Sequence, residues 1–159
     1  MIAMVTLWST RTLAESMLEN ATMDAVALSD GDNHLTYAEV DRWSNRVARA
    51  LLLMGIKPSF PVGMVFRTSA IAVVVECALH KIGSPVVPVP SAKAAPQRRN
   101  HPAYSTMARA VITTTAGLDW IPDAIPAVAL DTADLQRLIA GVSDAPITQA
   151  DFDGMRSVA

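Results

Sequence analysis

At 159 residues the chain can bury the core of one domain, and its 51% hydrophobic residues with only 5% aromatics make that core aliphatic. A net charge of -2, from 13 basic and 15 acidic residues with no basic run, argues against nucleic acid as a partner. The lone Cys77 excludes an internal disulfide and fits a reducing cytoplasm, and the apolar run Ile71–Leu79, broken by Glu76, is too short to cross a membrane.

In chain order, Leu13, Ala14, Met17 and Leu18 recur at helical spacing and predict a short amphipathic helix. Ala25–Ser29 reads as a strand, Asp30–Asn33 as a turn, and His34–Thr36 as a second short strand. Thr36-Tyr37-Ala38-Glu39 is a capping box that opens the next helix. Val40, Trp43, Val47, Ala50, Leu51 and Met54 mark its apolar face, with Asp41, Arg42, Asn45 and Arg49 on the other, and Gly55 closes it.

Pro61–Phe66 predicts a buried strand. Ser69 is placed to cap a helix through Ile82, ended by Gly83. Pro85–Val89 is a strand bounded by prolines, Pro96 opens a helix to about Met107, and Ala110–Thr113 and Ile125–Leu130 are further strands. Thr132 caps a helix ending near Gly141, and residues 143–159 lose their pattern and read as a tail or linker after a domain spanning 1–142. Strands and helices alternating at these lengths predict an α/β sandwich, a parallel sheet with helices on both faces.

Two stretches carry more than generic information. Leu35-Thr36-Tyr37-Ala38-Glu39-Val40, continued by Ser44-Asn45-Arg46-Val47-Ala48-Arg49-Ala50-Leu51, resembles the first core motif of adenylation domains. Cys77-Ala78-Leu79-His80-Lys81-Ile82-Gly83-Ser84-Pro85-Val86-Val87-Pro88-Val89 resembles the second, in which a helix ends at Lys-x-Gly and a strand leads to a proline. Phe66-Arg67-Thr68-Ser69 resembles the Arg-Ser segment between them. Ala95–Arg99, Leu130-Asp131 and Asp144–Thr148 resemble features of the peptide synthetase branch. From about Leu13 to Asp151 the chain is thus similar to the N-terminal subdomain of nonribosomal peptide synthetase adenylation domains, in the superfamily of acyl-CoA synthetases and luciferases. It departs from that pattern at Pro90-Ser91 and at Ser59-Phe60-Pro61, where the family carries Gly-Asp.

The resemblance implies ATP-dependent activation of an amino acid or acyl group in a full-length relative, with ATP and magnesium as its cofactors. It also implies that the phosphate loop, a ribose-binding aspartate, the catalytic lysine and the substrate pocket lie later than Ala159. The chain alone is therefore expected to bind no cofactor and to lack catalytic, cofactor-binding and metal residues. Three expectations follow: a fragment of a larger ligase, a freestanding scaffold or partner-binding module of an assembly line, or one half of a split adenylating enzyme. In each, an apolar face would be covered by self-association, such as a homodimer, or by a protein partner, in the cytoplasm and away from nucleic acid and membrane.

Other chemistry-bearing residues have structural readings. Thr113–Gly117 has the hydroxyls and glycine of a phosphate turn but no lysine and no second glycine, so a strand end is the default. Arg98, Arg99 and His101 read as a solvated helix start. Cys77 reads as a buried helical thiol, His34, His80 and His101 lack metal-ligand spacing, and Glu39 beside Asp41 is a capping residue rather than half of an acid/base pair. Leu7-Trp8 and Trp120 fit either packing or a partner contact.

Overall fold

The computed structural model describes residues 24–30, 32–66, 69–87, 108–121 and 125–156. The segments expected as helices over 13–18 and 96–107, together with Leu7, Trp8, Pro90, Ser91, Arg98, Arg99 and His101, lie outside the described residues.

β1 (Val26–Asp30) and β2 (Asn33–Thr36) pair antiparallel across the expected turn. Helix α1 (Tyr37–Leu53) starts at the capping box: Thr36 N–H donates to Glu39 Oε2 at 2.8 Å, and Glu39 N–H donates to Thr36 Oγ1 at 3.1 Å. Gly55 (φ 98°) and Gly83 (φ 81°) take the left-handed turns after α1 and α2 (Ser69–Ile82), as the sequence predicts. Ser69 is the first helical residue of α2 rather than the residue before it. Ser59 has φ 65°, the left-handed region that favours glycine.

β3 (Val62–Val65), β4 (Val86–Val87), β5 (Ala110–Thr113) and β6 (Ala127–Ala129) form one parallel sheet in the order β4-β3-β5-β6. Strand alternation gives the sheet two packed faces. Val62, Ala110 and Ile112 face α1, α2 and α3 (Ala133–Gly141) in a cluster whose centre, Val47, Leu51, Val74 and Leu79, is fully shielded from solvent. Val111 turns the other way and packs with Ala108, Ile121 and Ile125, backed by Val65 and Val87. Among the described residues the α-helices that pack on the sheet share the first face, while Ile121, just after the 3-10 helix Thr115–Trp120, and Ile125 pack on the second.

Three local expectations are corrected. The strands predicted over 61–66 and 125–130 are shorter, because ladder pairing reaches only Val62–Val65 and Ala127–Ala129, while of the strand predicted over 85–89 Val86–Val87 pair and 88–89 lie outside the described residues. Thr132 occupies the cap position of α3, but its side chain makes no capping hydrogen bond. Residues 143–156 are not a patternless tail: α4 (Gln149–Arg156) forms, and the segment before it lies against α1.

Candidate functional site

The residues of the two sequence motifs converge on α1, and their polar groups are used to hold elements together. Lys81, near the C-terminal end of α2, points its ammonium at α1. There Nζ donates to Asp41 Oδ1, Ser44 Oγ and Asn45 Oδ1, each at 2.7 Å, and to the Asp41 carbonyl at 3.0 Å. Ser44 and Asn45 are 0% and 2% exposed, so the ammonium satisfies groups that water cannot reach. Asn45 is occupied at both ends, because its Nδ2 donates to the Asp144 carbonyl at 2.9 Å.

One turn further along α1, Arg49 donates to the carbonyls of Ser143 (2.9 Å), Ala145 and Pro146 (3.0 Å), and to both carboxylate oxygens of Asp151 (3.0 and 3.2 Å). Burial works against the Asp151 carboxylate. The Thr148 N–H and the Arg49 guanidinium nevertheless hold it below the usual carboxylate range. Arg46 adds a bond to the Ala140 carbonyl at 3.0 Å. The polar face predicted for α1 is therefore corrected: Asn45 is buried and Arg49 is half-buried against 143–151, while Arg42 faces solvent.

The carboxyl edge of the parallel sheet, where open α/β folds place ligands, carries Thr113, Thr115, Gly117 and Asp131. Asp131 accepts from the Thr115 amide and hydroxyl, both at 2.7 Å, and these bonds, the hydroxyl first, lower its pKa. Thr113 Oγ1 donates inward to the Val65 carbonyl at 2.6 Å. The turn that superficially resembles a phosphate cradle has its amide and hydroxyl engaged by the chain's own carboxylate, and Gly117 is pressed against Thr113 and Val65. These residues do not fit a triphosphate, and no group of three His, Cys, Asp or Glu side chains suited to a metal occurs among the described residues.

The remaining candidates have local roles. Cys77 is fully buried in α2, and burial pushes its thiol up to about 12, far from a reactive thiolate. His34 Nδ1 pairs with Ser29 Oγ at 2.8 Å across β1 and β2, and His80 is exposed on α2. Trp120 is half-buried at the end of the 3-10 helix. No described helix is long and apolar enough to cross a membrane.

Sequence reasoning singled out the motif segments but missed what Lys81, Asn45 and Arg49 do in them. Their partners lie 40, 99 and 102 residues away in sequence. The available signal was the motif itself, since a lysine ending an apolar helix needs an acceptor.

Comparison with known proteins agrees with this arrangement. A plipastatin synthase of Bacillus subtilis (strain 168) is 43% identical over 43% of this chain, which spans 2% of that protein. The N-terminal subdomain of NpsA from Klebsiella oxytoca has the same fold, with a TM-score of 0.61 at 19% identity, over 87% of this chain and 34% of that one. A benzoate CoA ligase from Burkholderia xenovorans LB400 also shares it, with a TM-score of 0.65 at 21% identity, over 87% of this chain and 30% of that one. The chain spans 1–6% of the length of eight of the curated synthetases it matches. The profile of the family described as AMP-binding enzyme matches residues 16–156, nearly the whole sequence, and the chain belongs to that family.

Proposed function

We propose that these 159 residues form the N-terminal, architectural part of an adenylate-forming domain of the nonribosomal peptide synthetase type. In this reading the domain activates an amino acid or acyl carboxylate with ATP and magnesium only when joined by polypeptide that supplies the phosphate loop and the catalytic lysine. That polypeptide is also the partner that covers the apolar residues exposed here, Val26, Leu53, Met54 and Leu118. The observation that carries the reading is the use of the motif polar groups. Lys81, Ser44, Asn45 and Arg49 bond to neighbouring helices and to 143–151, which is what a scaffold requires.

The test is ATP–pyrophosphate exchange over a panel of amino acids and aryl acids. It compares the chain alone with a chimera in which it replaces the matching segment of a relative's adenylation domain. The chain alone is expected to give no exchange, and the chimera to exchange with the amino acid of the relative. Exchange by the chain alone, or a folded chimera without exchange, would overturn the proposal.

A further inference from the structure

The segment 143–151 and α4 are attached differently from the rest of the fold. No described residue from 143 to 153 is fully buried, and Ile147 and Phe152 are only partly buried against the core. By contrast α1, α2 and β5 interlock through side chains with no exposure at all, including Val47, Leu51, Leu79 and Ile112.

The polar attachments of this strap, 143–151 with α4, come from one side of α1. Asn45 takes the Asp144 carbonyl, Arg46 lies 3.9 Å from the Asp144 carboxylate, and Arg49 reaches every part of the segment, from the Ser143 carbonyl to the Asp151 side chain. Asp151 in turn accepts the Thr148 amide at 2.8 Å, so the arginine's partner also stabilises the first turn of α4. Local opening follows burial: elements with few buried apolar contacts open at lower free energy than the core.

We propose that residues 143–156 are a separately releasable unit latched by Arg49, so that this segment swings free and re-docks while the sheet stays folded. The latch works because one guanidinium gathers three carbonyls and a carboxylate. Its loss removes the attachments at Ser143, Ala145, Pro146 and Asp151 together, whereas loss of a single acceptor removes only one of them.

The test is amide hydrogen exchange by mass spectrometry on the 159-residue chain, unsubstituted and as Arg49→Gln and Asp151→Asn. Arg49→Gln is expected to lower protection of amides within 144–156 by about 10- to 100-fold, the scale of losing charge-assisted hydrogen bonds. Amides of β3 and β5 should change by less than about 2-fold, since distant sites are energetically independent. Asp151→Asn is expected to give a smaller loss confined to the same segment. Equal loss in β3 and β5, no loss in 144–156, or an Arg49→Gln chain that does not fold would each overturn the proposal.

Discussion

Lys81→Met is expected to destabilise the fold by about 2–3 kcal/mol, read as a lowered midpoint of urea unfolding with an unchanged slope. Methionine keeps most of the apolar stem, so packing between α1 and α2 is largely retained and the loss reports on the ammonium. The side chain of Lys81 is 12% exposed and that of Asp41 26%, so the carboxylate can turn toward water when the lysine is gone. Ser44 Oγ keeps its bond to the Asp41 carbonyl at 2.8 Å, but buried Asn45 Oδ1 loses the ammonium and has no such recourse, and its desolvation is where most of the cost arises. Asp41→Asn should cost less, under about 1 kcal/mol, because the ammonium keeps its other acceptors. A Lys81→Met protein as stable as the parent would mean that the contacts of the ammonium are together dispensable.

Gly117→Ala is the second change with a large expected effect, again about 2–3 kcal/mol. A Cβ at that position would stand 2.1 Å from Thr113 Oγ1, 3.2 Å from the Val65 carbonyl oxygen and 3.4 Å from Val65 Cγ1. Thr113 is fully buried, and its hydroxyl is bonded to that same carbonyl, so relief of the clash breaks a buried hydrogen bond. The mechanism predicts coupling. Thr113→Ala removes the clashing oxygen, so the double variant should be less destabilised than the sum of the two single variants by about 1 kcal/mol or more. Additive losses would mean that the close approach of the 3-10 helix to β5 does not govern this position.

The legible part of the fold was the local part. The Thr36–Glu39 capping box and the glycines after α1 and α2 act within a few residues of themselves, so their signatures survive in a single sequence. The strand runs were recognisable from aliphatic composition, although their ends depended on where the neighbouring strand stops pairing. Two kinds of information were hidden. The face of α1 carrying Asn45 and Arg49 reads as solvent-facing because periodicity records polarity, and it does not record the carbonyls of 143–146 that consume it. Residues 143–156 read as a tail for the complementary reason: their attachment rests on backbone acceptors, which every residue carries. The hydroxyl turn at Thr113–Gly117 illustrates the limit from the other side. Its composition permits an anion, and only the placement of Asp131, 16 residues beyond Thr115, shows that the chain fills the position itself.

If the motif residues of this chain build a scaffold and do not carry chemistry, removing the Lys81 ammonium should cost stability and leave catalysis alone. The most direct measurement is ATP–pyrophosphate exchange by the chimera carrying Lys81→Met, at a temperature well below its unfolding midpoint. A positional role predicts kcat and KM for ATP and for the acid substrate within about 3-fold of the unsubstituted chimera, with the loss appearing only in stability. A fall in kcat of about 100-fold or more in a chimera that remains folded would contradict it and place Lys81 in the reaction itself.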